Sequence, residues 1–400
     1  MNPFLLAAAT AAALGTAPAV PASTAPAEAA VVLVPDDLSR QAASMLLVGA
    51  PGDELVPGGP FEELVCGLKV GGLILFDRDT GGRGEARNIT GKSQVAKLTQ
   101  ELQALARRCG DAPLLLAADV EGGVVNRLAP IEGLEGLPSA AQLGRGSPER
   151  SREAARRIGT AMARAGLNWD LAPVVDLNLR PDNPIIGKWG RAFSDDPVVV
   201  ARHARAFAEG LYDKGVLSCL KHFPGHGSSA GDTHKGAVDV TDTANLGLEL
   251  APYRQLIKDD LADCVMVAHL FNEVLDPENI ATVSSSVITG LLREQLDYDG
   301  IVLTDDLQMG AVLASYTLED AAVRAAAAGA DMLILSNAVG PRDASTARKV
   351  HAALVAAVKD GRLPRRRVME ANLRIKRFKG RLPGLDRGGF DLMPETEDDP

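Results

Sequence analysis

The chain has 400 residues, 46% of them hydrophobic, with a formal net charge of −10 and a pI near 5.2. That apolar content suffices for a large core, and the acidic balance argues against a nucleic-acid binder, which presents a basic surface. Residues 1–30, MNPFLLAAATAAALGTAPAVPASTAPAEAA, carry no basic residue and no charge before Glu28. Within them residues 4–14 read as the apolar core of an export signal, with Ala25-Pro26-Ala27 as a small-x-small cleavage site. A disordered Ala/Pro segment is the alternative. No later stretch has the apolar length of a membrane span.

From about residue 40 short apolar runs alternate with helical segments. The runs are SMLLVG (44–49), VGGLILF (70–76), PLLLAAD (113–119), NWDLAPVVD (168–176), VLSCLKHF (216–223), DCVMVAHL (263–270), GIVLTDD (300–306) and ADMLILSN (330–337). Amphipathic stretches such as SPERSREAARRIGTAMARAG and DDPVVVARHARAFAEGLYDKG lie between them. Near-continuous apolar strands separated by helices imply a parallel sheet covered by helices. Eight such units predict an α/β fold of one (β/α)8 barrel over residues 36–385. An open doubly wound sheet is the competitor, but no glycine-rich dinucleotide fingerprint follows the first run. The basic run 362–381, RLPRRRVMEANLRIKRFKGR, is interrupted by Met369, Leu373, Ile375 and Phe378. It reads as a terminal helix with one solvated face, with an anionic-polymer patch as the alternative. Residues 386–400 read as an acidic tail. Cys66, Cys109, Cys219 and Cys264 match no zinc spacing, and Cys219 and Cys264 fall in apolar runs that predict buried free thiols.

Polar residues recur where the predicted strands end: Asp119, Asp176, Lys221, His222, His269 and Asp305. In a barrel those ends converge on one mouth, where active sites form. Strand side chains alternate faces, so with Ile301 and Leu303 inward Asp305 points to the mouth, while Asp306 points outward or caps the next helix. Capping by both is the plain alternative.

The segment KHFPGHGSSAGDTHKG (221–236) holds three of the chain's six histidines among Gly225, Gly227, Gly231 and Gly236. Glycines at that density exclude a helix or strand interior, so polar side chains ride on a loop. Asp232 and His234 lie two residues apart. A carboxylate beside a histidine orients the ring and stabilises its cation, which makes a proton donor and acceptor. Asp305 then reads as a nucleophile or electrostatic stabiliser facing that group. His222, His226, Asp232 and His234 are also metal-ligand types, but their spacing matches no standard zinc motif, and neither a metal nor a cofactor is expected. Ser228 and Ser229 lack the G-x-S-x-G elbow of a serine hydrolase. Gly122 and Gly123 in DVEGGVVNRL permit a sharp turn that brings Arg127 back towards Asp119.

KHFPGHG followed by DTH, together with DVEGGVVNRL, NPIIGKWGRAFSDDP and TDDLQMGA, resembles the bacterial β-N-acetylglucosaminidases of glycoside hydrolase family 3. The resemblance implies a single barrel and a retaining mechanism without a cofactor. It implies Asp305 as nucleophile, His234 as acid/base and Asp232 as its partner. Asp119, Arg127, Arg191, Lys221 and His222 fall on positions that bind the sugar hydroxyls and the N-acetyl group. Val124 stands where an arginine is common, and Asn126 replaces a frequent glutamine. The implied partner is a small carbohydrate or muropeptide released from peptidoglycan. A phosphorylase with the same residues and a noncatalytic sugar-binding barrel are the competing functions. The N-terminal segment, read as a signal, implies export, and without it the protein is cytoplasmic. Oligomeric state is left open.

Overall fold

The computed structural model of the protein describes residues 38–79, 84–110, 113–131, 133–338 and 343–382. The chain divides into two units, residues 1–36 and 37–400, and the barrel lies in the second. The signal-like residues 1–30 and the acidic residues 386–400 fall outside the described residues.

Eight parallel strands form one sheet: β1 (Leu46–Val48), β2 (Gly72–Ile74), β3 (Leu115–Ala118), β4 (Trp169–Asp170), β5 (Leu220–Phe223), β6 (Cys264–Val267), β7 (Ile301–Asp306) and β8 (Met332–Leu335). Each lies in one of the eight apolar runs. Their order across the sheet is β4-β3-β2-β1-β8-β7-β6-β5. The two ends meet through bridges Trp169–Leu217 and Val174–Lys221, with Asp170 N donating to Leu217 O at 2.8 Å and Leu217 N to Asn168 O at 3.0 Å. The sheet is therefore a closed (β/α)8 barrel. β4 is much shorter than its run because Pro173 has no N–H for the ladder; the Val174–Lys221 bridge carries the chain on to Asp176.

Helices cover the sheet from outside, among them Lys92–Arg108, Pro148–Arg164, Pro197–Tyr212, Ala251–Lys258, Leu318–Ala328, Ser345–Lys359 and Arg365–Gly380. The last is the basic run. Val368, Ala371, Ile375 and Phe378 are buried along it, and Phe378 meets Trp169 edge to face, with centroids 4.9 Å apart. Four of the run's arginines turn to the strand N-terminal end of the barrel. Arg367 pairs with the fully buried Asp331, Arg374 and Arg377 pair with Asp299 at 2.8 and 2.7 Å, and Arg381 pairs with Asp263 at 2.7 Å.

The cysteines correct the sequence reading. Cys219 is bonded to Cys264 and Cys66 to Cys109, with Cα–Cα distances of 4.3 and 5.3 Å. β5 and β6 pair with Leu220 opposite Val265, so the residues just before them, Cys219 and Cys264, also face each other. That register joins positions 45 residues apart and is invisible in spacing alone. Among the described residues no helix is long and apolar enough to cross a membrane.

Candidate active site

The C-terminal ends of the strands surround a cavity of about 390 Å³. It is lined by the apolar Ile74, Leu171, Met266 and Ile334 and by Asp119, Arg127, Arg191, Lys221, His222, His234 and Asp305. A larger groove of about 740 Å³ lies on the outer surface against Pro148–Arg164. Its Arg156 and Asp213 pair with each other at 2.7 Å, and it contains none of the strand-end residues.

The floor is an ion network contributed by β3, β4 and β5. Gly122 and Gly123, at φ 87° and 57°, turn the chain after β3, a conformation that side chains with a Cβ disfavour. Val120–Gly122 then pairs antiparallel with Val125–Asn126, and Arg127 N donates to Asp119 O at 3.0 Å. Lys221, 2% exposed, lies 2.7 Å from Asp119 Oδ1 and 2.8 Å from Glu121 Oε1. Arg191 grips Glu121 bidentately, Nε to Oε2 at 2.8 Å and Nη2 to Oε1 at 2.7 Å. Burial alone would raise the Glu121 carboxyl, but Arg191 and Lys221 outweigh it and hold the group far below the usual carboxylate range. Burial likewise opposes the Lys221 cation, yet Asp119 and Glu121 hold its pKa above the ordinary value. Asp170 lies beneath, where burial pushes its carboxyl well above the normal range.

His222 sits on this floor with Nδ1 2.7 Å from Asp176 Oδ2. The carboxylate fixes Nδ1–H as the donor and turns Nε2 to the cavity side, 3.4 Å from Arg191 Nη2. Burial opposes the Asp176 anion, but His222 and His226 more than compensate and its pKa is lowered.

Asp305 and Asp306 diverge as strand alternation requires. Asp306 turns away, accepting from Ser336 N at 3.1 Å, from the Ser336 hydroxyl and from Gln308 N at 3.2 Å. Burial raises it to about 6. Asp305 Oδ1 accepts only the Asp306 N–H, at 2.8 Å, among the described side-chain hydrogen bonds. Burial would raise its pKa, but the imidazoles of His269, His222 and His234 dominate and lower it to about 2. His269 is buried, with Nε2 2.9 Å from the Asp306 carbonyl and Nδ1 2.7 Å from the Thr282 hydroxyl. A carbonyl only accepts, so Nε2 carries the hydrogen, and because the Thr282 hydroxyl gives its own hydrogen to the Ala268 carbonyl at 2.7 Å, its oxygen is left to accept from Nδ1.

The loop after β5 delivers the second reactive group. Its inner half is buried: His226 N donates to Asp176 at 2.7 Å, and the ring reaches Ser229 Oγ (2.6 Å) and Thr233 Oγ1 (3.3 Å). Burial, then His222, lowers the His226 pKa to about 4, so the ring is neutral near pH 7. A Cβ at Gly227 would run into the Leu177 backbone, so only glycine allows this approach. The outer half carries Asp232 and His234. Asp232 Oδ1 accepts from His234 N at 3.0 Å and from Nδ1 at 2.9 Å, leaving Nε2 free of Asp232. The His234 side chain is 62% exposed. Gly310 N and Ala311 N donate to the carbonyls of His234 and Thr233 at 3.3 and 3.0 Å, seating the loop beside β7.

All eight residues singled out in the sequence thus meet around one mouth. Arg127 reaches it from the hairpin, with Nη1 3.4 Å from Asp77 Oδ1. The four metal-type side chains have separate partners: Asp176 for His222, Ser229 and Thr233 for His226, and each other for Asp232 and His234. Sequence reasoning passed over Glu121, Asp77 and Trp189. Glu121 follows Asp119 by two residues, the spacing of one strand face, and Asp77 directly follows the β2 run, the same strand-end position that marked the others. Asp176 and His269 had that strand-end mark without an assigned role; one orients His222 and the other faces Asp305.

A family model described as the glycosyl hydrolase family 3 N-terminal domain matches residues 56–378. Beta-hexosaminidase A of Pseudoalteromonas piscicida is 31% identical over 341 residues, covering 80% of this chain and 55% of that protein. Beta-hexosaminidase LpqI of Mycobacterium tuberculosis is 37% identical over 289 residues, covering 70% of this chain and 71% of that protein. A solved glycoside hydrolase family 3 β-N-acetylglucosaminidase from Paenibacillus sp. matches with TM-score 0.80 and 35% identity, over 90% of this chain and 65% of that one. The chain thus spans just over half of the Pseudoalteromonas protein and about two thirds of the Paenibacillus chain.

Proposed function

The chain belongs to glycosyl hydrolase family 3, and from that premise we propose that it is a retaining exo-β-N-acetylglucosaminidase acting on peptidoglycan fragments. One observation carries the reading: an ionised strand carboxylate, Asp305, shares one cavity with a histidine, His234, whose Nδ1 is held by Asp232. Asp119, Arg127, Arg191, Lys221 and His222 bind the hydroxyls and N-acetyl group of the terminal sugar.

In the first step the free Asp305 oxygen attacks C1 while His234 gives its Nε2 proton to the departing glycosidic oxygen. Asp232 stabilises the imidazolium before transfer and keeps Nε2 aimed outward. In the second step water attacks C1 of the glycosyl ester, its proton passes to His234 Nε2, and Asp305 leaves as a carboxylate. The usual retaining pair is two carboxyl groups; an imidazole in place of one adds no negative charge beside Asp305.

Export is part of the same proposal. The signal-like residues 1–30 support it, and so do the two disulfides, since such bonds persist in oxidising compartments.

The test is turnover of aryl β-N-acetylglucosaminide beside aryl β-glucoside. Buried polar groups left unpaired by a missing N-acetyl group discriminate strongly, so a preference of at least ~10²-fold is expected. Comparable rates overturn the specificity. Free N-acetylglucosamine in phosphate buffer is the expected product; sugar 1-phosphate marks a phosphorylase, and no turnover marks a binding barrel.

A further inference from the structure

The floor and the rim of the cavity differ in chemistry. The floor is charged and buried, with Lys221 at 2% and Glu121 at 7% exposure. The rim carries two exposed apolar side chains, Val124 at 60% and Trp189 at 49%, and both line the cavity. Trp189 is outside the core, half exposed, with the Lys188 ammonium 5.8 Å from the centroid of its ring.

Its placement is defined. The Trp189 Nε1–H donates to the Pro184 carbonyl at 2.8 Å, which fixes the indole. Next to it, Gly190 O accepts from Ala141 N at 3.0 Å, and Gly123, next to Val124, packs on Ser139. Both rim residues are therefore anchored on the same short stretch, residues 139–141. Trp189 is also the neighbour of the acid/base loop. Asn183, on the segment that carries Trp189, donates Nδ2 to His226 O at 2.8 Å and to Ser229 Oγ at 3.1 Å. Around the mouth the order is Val124, Trp189, His234, following adjacent strands β3, β4 and β5.

The depth of the groups decides what meets this rim. With the terminal sugar on the charged floor, the glycosidic oxygen lies level with His234, and everything beyond it leaves past the exposed residues. Resting on the hydrolase reading above, we propose that Trp189, flanked by Val124, is the platform for the leaving-group sugar, taking the apolar C–H face of a pyranose ring. Stacking on a fixed ring needs little ordering of the protein and orients the scissile oxygen towards His234.

The experiment measures kcat/KM for Trp189→Ala, Trp189→Leu and Trp189→Phe on two substrates. One is the β-1,4 disaccharide of N-acetylglucosamine. The other is β-N-acetylglucosaminyl fluoride, whose leaving group has no ring. A stacking contact is worth about tenfold. Ala and Leu should therefore lose about tenfold on the disaccharide, mainly through KM, with Phe recovering most of it, and all three should stay within about twofold on the fluoride. Parallel losses on both substrates, or an unaffected disaccharide, overturn the platform. A wild type inactive on the fluoride overturns instead the hydrolase reading on which the platform rests. Trp189 is half exposed and supports no core, and unchanged fluoride turnover reports an intact fold in each variant.

Discussion

Asp305 is the penultimate residue of a six-residue strand paired on one side with β6 and on the other with β8, and its carboxylate is ionised before any ligand arrives. His234 rides on a loop between Gly231 and Gly236, with most of its side chain in solvent and one local carboxylate to orient it. The two groups serve one cavity, one from a strand paired on both sides and the other from an exposed turn of a loop. A nucleophile must be placed to a fraction of an ångström, and a barrel strand does that. A proton donor that reaches over the glycosidic oxygen would block entry if it were equally rigid. The acid/base is therefore carried on a loop segment whose backbone is met by the Gly310 and Ala311 N–H groups.

The largest effect expected from this contrast is at Asp305. Asp305→Ala should lower turnover of every substrate by at least roughly 10⁴-fold, whatever the leaving group, with melting temperature nearly unchanged. A 5-fluoro N-acetylglucosaminyl fluoride should label Asp305; a label on Asp306 would overturn the assignment. The low pKa adds a pH signature. Asp305 is depressed, so its ionised form is lost only as pH falls through about 2, below the ordinary aspartate value near 4. A dinitrophenyl glycoside, which needs no proton donor, should show no acid limb near pH 4 to 5 from the nucleophile. Such a limb, in a protein still folded by circular dichroism, would contradict the electrostatics described.

His234 comes next. General acid/base groups contribute about 10² to 10⁴ in rate. His234→Ala should lose that factor on a disaccharide and keep the first step on the dinitrophenyl glycoside. Asp232→Ala should repeat the pattern more weakly, because the ring remains without its orienting partner. Equal losses on the two substrates would remove His234 from proton transfer.

The parts of this site differ in how readable they are from sequence, and the reasons are physical. The strands are legible because barrel strands buried on both faces are nearly pure Val, Ile and Leu. Asp305 is legible because alternation separates it from Asp306, and the Asp-Thr-His spacing is legible because it closes a local hydrogen-bonded pair. Glu121 is harder, since its meaning comes from Arg191, 70 residues on, and Lys221. The Cys219–Cys264 bond depends on strand register, and the arginines of the basic run depend on Asp331, Asp299 and Asp263, which only tertiary packing supplies. Local pairs write themselves into spacing, whereas pairs made by the barrel closing do not.

The smallest expected effect tests where stiffness gives way to mobility along the loop itself. His226 is buried and neutral, and its Nε2 lies 3.3 Å from the Thr233 hydroxyl. Thr233 stands between Asp232 and His234, so this contact ties the rigid inner half of the loop to the reactive outer half. Thr233→Val keeps the shape and removes the hydroxyl. It leaves a buried ring nitrogen without its partner, at a cost of about 1–3 kcal/mol. Most of that cost should appear as local loosening, because the outer half has few other anchors. The expected loss is about 3- to 10-fold in kcat on the disaccharide, less than twofold on the dinitrophenyl glycoside, with KM little changed. His226→Gln should show the same substrate split, and the double variant should lose no more than the worse single variant if both act through one contact. Additive losses would mean that His226 and Thr233 act separately, and a Thr233→Val variant equally impaired on both substrates would place the defect at Asp305 or the sugar floor rather than at the acid/base.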